Sequence, residues 1–302
     1  MQHRPFFRIT LWLLLATGAC SPREDESRLR KDWGECTRNT ECGAGLICRN
    51  RKCVEPPPAP TGAALTPPGG MVHVPAGDFL MGANRGTPLE RPQIQSRTPD
   101  FFIDAQEVTV EAYLACQKAG HCPEPRCSQP AKPAGLPVVC VTQDAAASYC
   151  AFLKKRLPTE EEWEKAARGA EARMFPWGEQ PPTCERANFA GCLQPDGPTA
   201  TGLRPDGAGP YGARDQAGNV WEWTASARLP WDKETDPARA QAGHAPPPAA
   251  GTPKNPPKKT YYVIRGGSFL DPPLSLRTSH RLLLAQDFYS HALGFRCAAD
   301  PR

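Results

Sequence analysis

The sequence predicts an α+β protein with little regular secondary structure, stapled by disulfides, in which a small cysteine-rich module precedes one larger domain. Three observations carry that expectation. Proline supplies 36 of the 302 residues and glycine 26. Proline at about 12%, against an ordinary usage of about 5%, leaves little room for long helices, because it lacks the amide N–H and clashes with the preceding turn. The 13 cysteines point to an oxidising compartment. Apolar runs are short and lie between clusters of Gly, Pro, Asn and Asp. The 36 basic residues against 32 acidic ones leave a net charge of only +4. That near-balance argues against binding nucleic acid by wholesale phosphate neutralisation, so nucleic acid is not an expected partner.

The first 20 residues have a basic start (Arg4, Arg8), an apolar run from Ile9 to Ala16, and then Thr17-Gly18-Ala19-Cys20. The run is too short to span a bilayer as a mature helix, and small residues precede the cysteine as at a signal-peptidase site. The segment LLLATGAC resembles a bacterial lipobox, which implies cleavage before Cys20 and lipidation of its side chain. The expected location is the bacterial cell envelope, periplasmic or outer-membrane, with the lipid as the sole membrane anchor. Setting Cys20 aside leaves 12 cysteines, an even number.

Residues 21–54 comprise a polar tether and a module carrying Cys36, Cys42, Cys48 and Cys53. With no CxxC pair and no His, this is a two-disulfide mini-module rather than a zinc knuckle. So short a stretch needs staples to fold. Spacing leaves three connectivities open; resemblance to small secreted cysteine modules implies the interleaved one, first with third and second with fourth. Residues 55–70 hold six prolines and no hydrophobic period, the mark of an extended spacer. A second Pro-rich stretch, about 236–259, reads as a surface excursion from the main domain at 71–302.

Within that domain MVHVPAGDFLMG places Val72, Val74, Phe79 and Met81 around a Pro-Ala-Gly-Asp turn and predicts a hairpin. A helix is expected after the Thr109 cap, with Tyr113, Leu114 and Gln117 on successive turns. Another follows Thr142, with Ala146, Tyr149, Cys150 and Leu153 on one face. In LPTEEEWEKAARG, Thr159 and Glu162 form a capping box, acids fill the first turn and Gly169 closes a scaffold helix. From Met174 onward the chain is mostly irregular, with short apolar pieces at 219–224, 261–265 and 293–298.

Seven blocks in order, VPAGDFLMG, EVTVEAY, RLPTEEEWEKAARG, FPWG, GNVWEWT, VIRGGSF and LGFRCA, resemble the formylglycine-generating enzyme (sulfatase-modifying factor) family over roughly 71–302. The resemblance implies a C-type-lectin-like fold with little secondary structure. It also implies chemistry in which O2 and a copper ion held by two thiolates oxidise a sulfatase cysteine to formylglycine. Relatives include iron-dependent sulfoxide synthases and a pyoverdine-maturation branch. The thiolate positions, three residues after the Ser of the GGS block and five further on, are Asp271 and Leu276 here. Neither offers the soft sulfur that Cu(I) prefers, so copper is not expected and formylglycine generation by the usual route is not predicted. The HxxxHxE motif of the sulfoxide synthases does not occur in this sequence either.

The resemblance further implies a core disulfide between Cys150 and Cys297. Cys184 and Cys192 are near enough in sequence to bridge locally, while the pairing among Cys116, Cys122, Cys127 and Cys140 stays open. Structural Ca2+ is expected at two places. One set is Asp215 and Glu222 with the Gly218 and Val220 carbonyls; the other is Asn188, the Phe189 carbonyl and Asp196, at a spacing that departs from the family pattern. Trp221 and Ser268 match residues lining the family's groove, and Asp271, Arg277 and His280 join them as binding candidates. The predicted function is a cell-envelope lipoprotein that binds a protein, peptide or glycan without catalysis. The alternatives are a divergent metal-dependent oxidoreductase with Asp271 as ligand or base, and sulfatase activation by an unusual route.

Overall fold

The computed structural model describes residues 47–49, 52–54, 67–127, 135–192, 197–228 and 260–301. The expectations for Cys20, Cys36, Cys42 and Asp196, the tether, most of the 55–70 spacer and the 236–259 excursion lie outside the described residues. The chain divides after Val54 into two units. In the first, strands β1 (Ile47–Arg49) and β2 (Lys52–Val54) pair antiparallel with Cys48 directly opposite Cys53. Cys53 is disulfide-bonded.

The second unit begins with β3 (Met71–Val74), β4 (Gly77–Met81), β5 (Ile94–Thr98) and β6 (Phe101–Asp104). The expected hairpin across the Pro-Ala-Gly-Asp turn does not form. Instead β3 pairs with β6 and β4 with β5, both antiparallel. The ammonium of Lys165 explains the divergence. It donates to the carbonyls of Pro75 (2.6 Å) and Gly77 (3.0 Å) and to Thr98 Oγ1 (2.9 Å), so the turn carbonyls face a helix rather than each other. Burial lowers the Lys165 pKa to about 8.

Three short helices follow, α1 (Val110–Lys118), α2 (Gln143–Phe152) and α3 (Glu160–Arg168), each with its predicted cap: Thr109, Thr142 and Thr159 accept from the amides of Ala112, Ala145 and Glu162. The capping box of α3 is complete, since Glu162 Oε2 accepts the Thr159 amide at 2.8 Å. On α1 the buried face is Tyr113 with Cys116, and Leu114 is exposed; on α2, Ala146, Tyr149 and Cys150 are buried while Leu153 is exposed. The remaining strands are β7 (Trp221–Arg228), β8 (Tyr261–Arg265), β9 (Arg281–Ala285), β10 (Leu293–Gly294) and β11 (Ala298–Ala299). They build a four-stranded sheet in the order β10-β7-β8-β9 and extend β6 and β3 into a three-stranded sheet. Tyr113, Tyr149 and Phe295 pack their rings together between α1, α2 and β7.

Helix α3 carries an ionic lattice into the core. Glu160 and Glu164 are fully buried and share four guanidinium groups: Arg265 bonds both, Arg281 bonds Glu160, Arg228 reaches Glu160 Oε2 at 2.8 Å and Arg168 reaches Glu164 Oε1 at 2.7 Å. A second buried pair joins Arg296 to Glu222 through two 2.7 Å bonds. Charges so buried persist only when paired and hydrogen-bonded.

Four disulfides are described: Cys150–Cys297 and Cys184–Cys192 as anticipated, with Cys116–Cys122 and Cys127–Cys140 resolving the open pairing. Cys150–Cys297 closes 147 residues and Cys116–Cys122 only six. In the chain-entropy account the first contributes about 5 kcal/mol and the second about 2 kcal/mol. Urea unfolding is expected to rank the Cys150→Ala/Cys297→Ala pair well below Cys116→Ala/Cys122→Ala in stability, and equal losses would contradict the assignment of the long bridge as the main staple.

Candidate functional site

The strip from Gly266 to Arg281 leaves β8 and returns into β9, and it contains both positions where the family places thiolates. Asp271 closes a tight loop on itself. Its Oδ2 accepts from Ser268 Oγ (2.5 Å), the Ser268 amide (3.0 Å) and Trp221 Nε1 (2.9 Å). Its own carbonyl receives the Ala190 amide at 3.0 Å, tying the strip to the loop that carries Asn188 and Phe189. Leu276 lies at the end of a 3-10 turn and is wholly buried with Phe175, Ala187 and Ala217. It is a core residue.

The structure brings the predicted groove residues together but places them below the surface. Trp221 is 6% exposed, Ser268 1% and His280 8%. His280 lies beside the Trp221 ring, centroids 5.7 Å apart, and its Nδ1 is 3.3 Å from Glu90 Oε1. Arg277 does not line an open cleft either: it clamps Glu90 with bonds of 2.6 and 3.1 Å. What the strip shows to solvent is apolar, with Leu270 65% and Leu274 67% exposed.

Glu90 organises this wall and was not a predicted site residue. It is fully buried at the end of the 3-10 turn Pro88–Glu90 and accepts from Arg277, His280, Ser279 Oγ (2.7 Å) and the Thr87 amide (2.9 Å). Burial alone pushes its carboxyl up; the bonds from His280, Arg277, Ser279 and Thr87 outweigh it and hold the pKa far below the ordinary 4.5. A TxxE pattern, Thr87 to Glu90, is a sequence signal that could have pointed here.

The expected calcium loop is folded around the buried Arg296–Glu222 pair. Gly218 takes φ +81°, and a Cβ there would meet the Asn188 carbonyl oxygen at 2.1 Å, so only glycine fits. Asp215 Oδ2 accepts the Gly202 amide at 2.5 Å. Glu222 Oε2 already accepts from Trp163 Nε1 and Arg296 Nε, leaving Oε1, with one Arg296 bond, as its available oxygen. A third buried carboxylate stands nearby, Glu107, whose Oε2 accepts Asn219 Nδ2 at 2.7 Å while Oε1 is buried without a partner. Burial, with the negative charges of Asp215 and Glu222, raises the Glu107 pKa well above its ordinary value; burial likewise raises Asp215. Arg296 bonds Glu222, and Arg204 and Arg214 also stand near enough to Asp215 to favour its charged form; the orphaned Glu107 oxygen is the feature that fits a divalent cation. At the other expected calcium position Asn188 Nδ2 donates to the Gly197 carbonyl, and the Phe189 carbonyl accepts the Cys192 amide.

Among the described residues, Cys127, Cys140 and His291 have ligand atoms within 4.8 Å of one another. Both sulfurs belong to a disulfide, so the set offers no thiolate.

Residues 57–301 match the model of the sulfatase-modifying factor enzyme 1-like domain. The chain belongs to the sulfatase-modifying-factor family. The inactive C-alpha-formylglycine-generating enzyme 2 of Mus musculus is 33% identical over 292 residues, covering 76% of this chain and 85% of the mouse protein. A hercynine oxygenase of Mycolicibacterium smegmatis is 39% identical over 153 residues, and the match spans only 34% of its length. Among solved structures, PvdO from Pseudomonas aeruginosa aligns at TM-score 0.58 with 25% identity, over 76% of this chain and 93% of that one. Treponema denticola variable protein 1 aligns at TM-score 0.58 with 22% identity, over 76% of this chain and 95% of its own, and shares the fold. The C-type-lectin-like sulfatase-modifying-factor fold, poor in regular structure, is thereby established for the main domain.

Because the Glu90 pKa is depressed in the folded state, its stabilising contribution is full above the ordinary 4.5 and is lost as pH falls through and below that value. Glu90→Gln is expected to lose about 3 kcal/mol at neutral pH and to show a shallower fall in stability between about pH 5 and pH 3. Chemical denaturation across that range giving the wild-type slope would contradict the assignment.

Proposed function

We propose that the chain is a cell-envelope lipoprotein whose sulfatase-modifying-factor domain binds a protein, peptide or glycan rather than transforming it. The observation that carries this reading is the use made of Asp271: three donors converge on one carboxylate oxygen, which fastens the loop at the family's first thiolate position. Leu276 fills the core at the second. On the same strip Leu270 and Leu274 expose apolar side chains, and exposed apolar surface, where contiguous, marks interaction sites. The mouse relative named as an inactive formylglycine-generating enzyme is consistent with a non-catalytic member.

Divergent oxidative chemistry is the second reading, favoured by the likeness to a protein named as a hercynine oxygenase. It requires Asp271 as ligand or base, and so the release of Trp221 and Ser268 from its carboxylate. Sulfatase activation needs two thiols at 271 and 276, where none is present. Copper has no soft ligand on this strip.

Calcium supports the scaffold in this proposal. Asp215, Glu222 and the Gly218 and Val220 carbonyls would hold the ion, with Glu107 supplying further negative charge; the ion supplies rigidity to an irregular loop. The Asn188, Phe189 and Asp196 set is a second candidate. The N-terminal Cys20 would carry the lipid; labelled palmitate is expected to enter the wild-type protein and not Cys20→Ala.

The binding reading is tested by incubating the full chain with peptide and glycan arrays. Leu270→Glu and Leu274→Glu are expected to remove the retained ligands while leaving stability within about 0.5 kcal/mol, as for surface changes. A sulfatase-motif peptide with Cu(I) and O2 should yield no aldehyde, and aldehyde formation would overturn the proposal. Adding Ca2+ after chelation is expected to raise the melting temperature by several degrees, about 2 kcal/mol at saturating ion, and Glu107→Gln should reduce that rise. Identical melting curves with Ca2+ and with chelator would remove the metal.

A further inference from the structure

The Cys127–Cys140 disulfide closes a loop of only 13 residues, and it has a neighbour that a purely mechanical staple does not need. His291 Nδ1 stands 3.4 Å from Cys140 Sγ, although 151 positions separate the two residues in sequence. The two sulfurs and an imidazole nitrogen all lie within 4.8 Å of one another. Cys140 is buried against Val139 and Val220, Cys127 is half-buried and His291 is exposed, so the cluster runs from the core to solvent.

Backbone bonds hold these positions independently of the S–S bond. The Cys140 amide donates to the Ser290 carbonyl, next to His291, at 3.0 Å, and the Arg126 amide, next to Cys127, donates to the Cys140 carbonyl at 2.8 Å. Cys140 itself takes φ +63°, a left-handed conformation that residues with a Cβ seldom adopt and that gathers at ligand and switch sites. Opening the bridge therefore leaves two thiols and an imidazole in place. A tetrahedral ion with bonds of about 2.3 Å to sulfur and about 2.0 Å to nitrogen sets such donors roughly 3.5 to 3.8 Å apart. The Cys140–His291 contact is already close to that separation, and the two sulfurs need to part by only about 2 Å.

We propose that Cys127, Cys140 and His291 form a latent metal site: once a dithiol reduces the bridge, two thiolates and the imidazole take up a zinc-class divalent cation, with the fourth position open to water. A thiolate of the dithiol attacks the half-buried Cys127 sulfur, the S–S bond breaks and Cys140 leaves as a thiolate beside His291. The second thiolate of the reductant then attacks its own sulfur in the mixed disulfide and releases Cys127. Two electrons thus pass to the protein while the dithiol becomes a disulfide. Its two protons go to the cysteines and are released to solvent when the cation binds, because the ligands are thiolates and neutral imidazole. Two sulfurs and one nitrogen suit zinc, whereas Ca2+ and Mg2+ take oxygen. The site shares no ligand with the expected calcium loop and makes no use of Asp271.

Titration of the full chain with Co2+ tests the site, cobalt standing in for zinc because its thiolate complexes absorb by charge transfer. After reduction with dithiothreitol and its removal without oxygen, the chain is expected to show sulfur-to-cobalt absorption that the oxidised chain lacks and that added Zn2+ abolishes. Cys127→Ser/Cys140→Ser is expected to remove that absorption and Cys184→Ser/Cys192→Ser to leave it unchanged. His291→Ala, at an exposed position, is expected to fold normally and to weaken Co2+ about tenfold or more, since even the loss of a group that only orients a ligand costs that much. The proposal is overturned if the reduced chain shows no such absorption, if the absorption survives Cys127→Ser/Cys140→Ser, or if His291→Ala binds Co2+ as tightly as the wild type. It is equally overturned if alkylation finds Cys127 and Cys140 still bridged after the buried Cys150–Cys297 bond has opened.

Discussion

Glu160 and Glu164 sit on one face of α3, removed from water and held by arginines that arrive from β7, β8, β9 and α3 itself. An irregular chain with short strands has few ladder bonds to define its core, and here charged hydrogen bonds do much of that work. Arg265 shows how the lattice reaches the functional strip. Its Nη1 donates to the carbonyls of Thr278 (3.0 Å) and His280 (3.2 Å), which places Ser279 and His280 against Glu90. Arg296 does the same for the other side, bonding Glu222, the Asp104 carbonyl and the Arg214 carbonyl next to Asp215. The site is therefore a consequence of two buried ionic clusters rather than of local loop preference.

Some of this was legible in the sequence because its cause is local. Caps are set by residues three apart, so Thr109, Thr142 and Thr159 announced their helices. The buried faces were less legible: Leu114 and Leu153 satisfy the helical period but point to water, because the neighbouring turns already supply Cys116 and Cys150 to the core. The hairpin expected around Pro75 failed for a tertiary reason, the Lys165 ammonium, which approaches from 88 to 90 residues away.

The candidate site divides in the same way. Ordered family motifs located the strip and identified its missing thiolates, yet Trp221, Ser268 and His280 are buried, a fact that spacing does not encode. Glu90 was missed because its partners lie 187 to 190 residues along the chain. The acids of α3 likewise looked like an ordinary first turn. Only the fold brings Arg265 and Arg281 to them.

Asp271 thus serves as a structural clasp in the strip where the family resemblance places a thiolate, and that is the point on which the proposed function turns. The most direct measurement is hydrogen–deuterium exchange of the wild type and Asp271→Ala. The clasp predicts faster exchange in 268–275, where the amides of Ser268 and Leu270 are tied through Asp271 and Ser268 Oγ, with protection in α3 and β8 unchanged. Unchanged exchange throughout the strip would show that the carboxylate is not needed to hold the loop, and would return Asp271 to the role of a ligand or base.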